Sequence, residues 1–164
     1  MRSEFFLLAG VAIALSASSY AQRRAPAQPA GVPVEIHLQT GSAKYDASGT
    51  GECRAAERAS IYEVMASQFA VTHAAGAQSL NVTLWQPKNG DAMLTMSVSN
   101  GGKRYDIDTV KAGAKKDTKG SAQATLSRSG GSATLTISAV AAGGEKITGT
   151  IKCSSVSAIQ AEGG

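Results

Sequence analysis

The sequence predicts an all-β domain, an antiparallel β-sandwich or partly closed barrel of about eight strands with one short helix. Three observations predict it. Apolar residues recur at every second position in segment after segment, the period of a strand with one buried face. Asn-Gly and Gly-Gly pairs separate those segments, and such pairs supply the positive-φ residues that tight hairpin turns need. The segments also follow one another without the long helical spacers of βαβ units.

Val34, Ile36 and Leu38 alternate with Glu35, His37 and Gln39 and make a first strand. A second runs through Tyr45 into Cys53. Residues 54–66 are rich in alanine, and Ile61, Met65 and Phe69 are spaced by four. That spacing predicts a short helix or helical turn, followed by a strand over 67–74. Leu80, Val82 and Leu84, then Leu94, Met96 and Val98, then Tyr105, Ile107 and Thr109 alternate around Asn89-Gly90 and Asn100-Gly101. They form a three-strand meander. Lys111–Lys119 interrupts the pattern. Ala122, Ala124 and Leu126, then Ala133, Leu135 and Ile137, then Ile147, Gly149, Ile151 and Cys153 form a second meander, turned at Gly130-Gly131 and Gly143-Gly144. Val156 and Ile159 extend a last edge segment.

The amino-terminal part reads differently. Arg2 precedes an uncharged apolar run from Phe5 to Leu15, and Ser19-Tyr20-Ala21 is a small-x-small cleavage pattern. Residues 1–21 are therefore read as a signal peptide. The run is shorter than the ~20 apolar residues a bilayer crossing needs, so no membrane span is expected. Residues 22–33 carry Arg23, Arg24 and three prolines among alanines, a flexible leader, and residues 34–160 form the single β domain. The expected location is secreted or periplasmic. In an exported chain two cysteines most simply pair, here as Cys53–Cys153. Closing so long a loop stabilises by ~4–5 kcal/mol in the chain-entropy model.

Composition excludes several function classes. Aromatic residues make up 5% of the chain, too few for the stacking platforms of single-strand nucleic-acid binders or a long sugar groove. The net charge is +4, without an arginine–aromatic pattern, so no specific nucleic-acid recognition is expected. The nucleophile elbow, the zincin helix, the phosphate loop and the dinucleotide fingerprint are all absent from the sequence. No catalytic residue, metal site or cofactor is assigned. His37 and His73 have no acid or cysteine beside them in sequence and read as ordinary surface histidines. Asp106 and Asp108 share one strand face, ~7 Å apart by strand rise. Paired carboxylates suit calcium or a glycosidic bond, but Tyr105 and Ile107 take the buried face and leave the aspartates solvated. Trp85 shares its side with Asn81 and Thr83. It is a recognition residue, or it covers the open end of the sandwich or packs under the 54–66 segment. Asn81-Val82-Thr83 matches the N-glycosylation acceptor pattern. Lys111, Lys115, Lys116 and Lys119 are the densest local charge and a candidate anion-binding loop.

Cys53, the strand Ser79-Leu80-Asn81-Val82-Thr83-Leu84, and Ile147-Thr148-Gly149-Thr150-Ile151-Lys152-Cys153 resemble in layout the mycobacterial lipoprotein antigen family. Those are exported, aromatic-poor β proteins with two cysteines near the domain ends. The resemblance covers roughly residues 50–153 and implies a non-enzymatic envelope or surface protein. The chain departs from it by lacking a lipid-attachment cysteine, so membrane anchoring does not carry over. It reads equally as a secreted bacterial protein outside that family. The expected function is non-enzymatic binding of an envelope component or partner, with an anionic envelope surface as the suggested partner. The alternatives are a small secreted hydrolase with a carboxylate site, or a carrier of an apolar ligand suggested by the small residues Ala122, Ala124, Ala133 and Gly149.

Overall fold

The computed structural model describes residues 31–159. The signal peptide, most of the leader and residue 160 lie outside the described residues. Ten strands are present: β1 (Val32–Thr40), β2 (Ala43–Ile61), β3 (Val64–Ala75), β4 (Gln78–Pro87), β5 (Met93–Asn100), β6 (Lys103–Asp108), β7 (Ser121–Ser129), β8 (Ser132–Val140), β9 (Lys146–Cys153) and β10 (Ser157–Ala158). Nine lie along one hydrogen-bonded path in the order β6-β5-β4-β3-β2-β1-β9-β8-β7, and β10 adds to β2 in parallel. Every other pairing is antiparallel. The all-β prediction holds, with ten strands where about eight were expected. Val32 and Pro33, expected in the leader, already belong to β1.

The path folds into two layers because β2 is long enough to serve both. Its first half, Ala43–Gly51, pairs with β1, and its second half, from Glu52 onward, pairs with β3. Gly51 sits at this corner. A Cβ there would lie 2.7 Å from the Thr72 carbonyl oxygen and 2.8 Å from Val34 Cγ2, so only glycine lets the layers approach. The two free ends of the path meet where Asp108 and Lys119 exchange backbone hydrogen bonds, both 2.8 Å. The sheet is thereby nearly closed into a barrel.

Period-two alternation fills the space between the layers. Val34, Ile36 and Leu38 from β1, Val82 and Leu84 from β4, and Leu135, Ile137, Ile147 and Ile151 from β8 and β9 are all buried in one core. Each such side chain contributes ~1.5–3 kcal/mol through burial. The small residues serve close packing. Gly149 pairs with Leu38 and Ile137, and a Cβ there would overlap the His37 carbonyl. Cys53 and Cys153 are bonded, with Cα atoms 6.2 Å apart. The bridge ties the end of β9 to β2 just past the corner and so clamps the two layers together.

The helix expected over 54–66 is not formed, and no helix occurs among the described residues. That segment is the end of β2, a two-residue turn and the start of β3. A bulge between Ala56 and Ala59 shifts the register, which is what broke the strand period. The turn is made by Tyr62 and Glu63, at φ 46° and 68°. With neither glycine nor asparagine there, the sequence shows no turn signal, and the spacing of Ile61, Met65 and Phe69 imitates a helix across a hairpin.

Candidate functional site

The outer face of the β3–β6 layer carries the most chemistry. The register lays Glu52, Thr72, Asn81, Ser97 and Asp106 in one row across five neighbouring strands. A second row runs Ala70, Thr83, Thr95 and Asp108. The first row, with Thr95 and Asp108 of the second, lines an open groove of about 970 Å³ that Arg104 and Lys119 also line. Its lining mixes hydroxyls, amides and charged groups with Leu80, Met96 and Ile107, a more polar wall than the mostly apolar ones of small-molecule sites. Asn81, the glycosylation-pattern asparagine, is exposed within it.

Both aspartates on this face already have cationic partners. Arg104 Nε donates to both carboxylate oxygens of Asp106 at 3.0 Å. That guanidinium holds the Asp106 carboxyl below the usual carboxylate range, and a hydrogen bond with Ser97 acts in the same direction. Asp108 accepts from the Val110 amide at 3.0 Å and from Lys115 Nζ at 3.0 Å. A general acid of a glycosidase needs a raised pKa, and Asp106 is shifted the other way.

The lysine segment adjoins the groove and roofs the rest of the face. Thr109 exchanges hydrogen bonds with the Leu94 backbone at 2.8 Å. Val110 and Ala112 then turn inward and bury against Met93, with Ile61, Val64 and Trp85 packed around them. Lys115 Nζ ties the segment from inside, reaching Asp108, the Val110 carbonyl at 3.3 Å and the Asp117 carbonyl at 2.6 Å. The four lysines therefore do not form one patch of equals. Lys115 is partly buried and committed to the loop's own structure, whereas Lys111, Lys116 and Lys119 are exposed and make no ion pair among the described residues. Trp85 pairs with Met93 across β4 and β5 and belongs to the cluster beneath this roof.

The histidines differ from each other. His37 is exposed, and its Nδ1 lies 3.0 Å from Asp46 across β1 and β2. His73 is not a surface residue: it is 5% exposed and its Nδ1 is 3.0 Å from the Tyr45 hydroxyl. β3 runs on to Ala75, so His73 falls in phase with Phe69 and Val71 on the core side rather than at a strand end. Burial pushes the Tyr45 hydroxyl above its ordinary pKa. The alternation of Phe69, Val71 and His73 was the signal that this histidine points inward.

Among the described residues, no group of three or more His, Cys, Asp or Glu side chains is arranged to hold a metal ion. None of the described residues forms a helix long and apolar enough to cross a membrane. Comparison of the chain with protein-family models, curated proteins and solved structures finds no match.

Proposed function

We propose that this is an exported, non-enzymatic binding protein that docks to an anionic component of the cell envelope through the end bearing the loop 109–120. One observation carries the reading. The loop is pinned by its own apolar underside and by Lys115, so Lys111, Lys116 and Lys119 project from a fixed platform. Charges on an ordered surface pay less ordering cost on binding than charges on a mobile loop.

Export rests on the signal-like residues 1–21, and the buried disulfide is compatible with an oxidising compartment. The hydrolase alternative is disfavoured by the neutralised carboxylates: Asp106 is engaged by Arg104, and Asp108 by Lys115. The carrier alternative is disfavoured because small core residues such as Gly149 are needed for close strand approach.

The test is co-sedimentation of oxidised protein with anionic vesicles and, in parallel, with an acidic polysaccharide. Exposed charges lose reach as the Debye length falls from ~10 Å at 0.1 M salt to ~3 Å at 1 M. Binding is expected to weaken over that range and on replacing Lys111, Lys116 and Lys119 with glutamine. Binding indifferent to both changes would exclude the loop as the site. Turnover of an ester, peptide or glycoside substrate that disappears in Asp106→Ala or Asp108→Ala would exclude a non-enzymatic protein.

A further inference from the structure

We infer that the anionic component is a phospholipid surface and that the β2–β3 hairpin tip inserts into it through Tyr62 and Met65. This rests on the docking reading above and names its partner. Tyr62 and Met65 are the exposed large hydrophobic side chains among the described residues, at 53% and 59%. Scattered single apolar residues on a surface need no explanation, but these two are not scattered. Tyr62 is in the turn at the hairpin tip and Met65 two residues beyond it. Ile61 and Val64 pair with each other and pack against the cluster beneath the loop, while Met65 pairs with Ser60 on the opposite, uncovered face of the tip.

The backbone makes the same point independently. Tyr62 and Glu63 both hold positive φ, which Asn-Gly would adopt at far less cost. A bulky aromatic retained in such a turn is an outlier that points to use of its side chain. The loop is also seated on this tip, since a Cβ on Gly113 would lie 2.7 Å from the Tyr62 carbonyl oxygen.

Basic groups lie on either side of the tip. Arg58 and Lys88 share a cleft with Met65, and Lys111 shares one with Val64. Glu57, which lines the Met65 cleft, and Glu63, Asp91 and Asp117 lie at the same end and offset much of this positive charge. Charge alone therefore supplies a weak attraction, and an apolar contact has to supply the remainder. That decides between the two anionic surfaces. A hydrated polysaccharide offers nothing to Met65. A bilayer offers acyl chains to Met65, a headgroup level suited to the two-ended tyrosine ring, and phosphates to the lysines.

The experiment is co-sedimentation of full-length exported protein with phosphatidylglycerol vesicles, phosphatidylcholine vesicles and polygalacturonate. Wild type is compared with the double variant Tyr62→Asn/Met65→Ser. Asparagine accepts positive φ, so this variant keeps the turn, and its melting curve checks the fold. Phosphatidylglycerol binding should fall by roughly tenfold or more, as expected from losing about one buried apolar side chain. If the variant binds phosphatidylglycerol as wild type does, or wild type binds polygalacturonate and not vesicles, insertion is wrong and anionic docking stands. If wild type binds none of the three, docking and insertion both fall.

Discussion

The two ends of the β3–β6 layer are finished by opposite means. At one end the turns at Gly76 and Gly101-Gly102 are short, and the polar groups behind them satisfy one another. Asn100 Nδ2 donates to Thr40 Oγ1 at 2.9 Å, Thr40 donates to the Ala43 carbonyl at 3.2 Å, and Gln78 Nε2 donates to Asn100 Oδ1 at 2.9 Å. Thr40 and Asn100 are buried. At the other end an apolar cluster lies under the loop 109–120, an ion pair ties that loop down, and exposed lysines, Tyr62 and Met65 remain over. The first end buries its polar groups against one another, and although Lys44 and Lys103 stand exposed there, none of its large apolar side chains among the described residues is exposed. An end that keeps apolar surface and unpaired cations in the open still has interactions to make.

The largest effect should come from the element that serves both ends equally. Reducing Cys53–Cys153 should cost ~2–4 kcal/mol. The melting temperature should drop, while far-ultraviolet circular dichroism keeps its β signature, because the large core shared by the two layers is buried without the bridge. Complete unfolding on reduction at room temperature would show that the bridge holds the corner alone.

Next comes the self-satisfied end. Asn100→Ala takes a donor from buried Thr40, which keeps its bond to Ala43, and an acceptor from partly buried Gln78. The expected cost is ~1–3 kcal/mol, the price of an orphaned buried polar group, measured by urea unfolding. A neutral result would mean that water replaces the amide and that this end is less sealed than its geometry indicates.

Much of this architecture was legible in the sequence. Period two located β4, β5, β8 and β9, and the phase of Ile147, Ile151 and Cys153 put the last cysteine inside, but the Asn-Gly turns are not formed as expected: Asn100 closes β5 and Gly101-Gly102 makes the turn, and Asn89-Gly90 lies in a longer connection. Three features escaped for physical reasons. The hairpin at Tyr62-Glu63 carries none of the residues that usually mark a turn, so its apolar spacing read as a helix. His73 reads as a surface residue because no acid or cysteine stands beside it in sequence; its partner Tyr45 is 28 positions away. Lys115 could not be told from its neighbours, because its partner Asp108 comes within reach only when the loop folds back. Trp85 packs against the cluster of Met93, Val110 and Ala112, which Ile61 and Val64 of the misread stretch also border.

Tyr45 gives a pH-dependent prediction. Burial raises its folded-state pKa above the ordinary 10.0, so the unfolded chain ionises first as pH rises. The neutral hydroxyl's contribution is complete below pH 10.0 and is lost as pH climbs from there through the folded-state value. Tyr45→Phe should lower stability by about 1 kcal/mol at neutral pH through the lost hydrogen bond and should flatten the alkaline decline. An unchanged alkaline slope in the variant would assign that decline to other groups.

The smallest effect on stability is expected at the pinned end. Lys115 and Asp108 are partly exposed, at 22% and 30%, so Lys115→Ala should cost under about 1 kcal/mol. Its local effect should be larger: trypsin should cut faster after Lys111 and Lys116 once the loop is untied. Cleavage at the wild-type rate would show that Val110 and Ala112 hold the loop without the ion pair.

The central claim is that one end binds and the other does not. Amide hydrogen exchange with and without phosphatidylglycerol vesicles tests it most directly. Added protection is expected at residues 62–65 and 110–119, with the turns at 76–77 and 101–102 unchanged. Protection at those two turns, with the loop and hairpin tip unaffected, would contradict it.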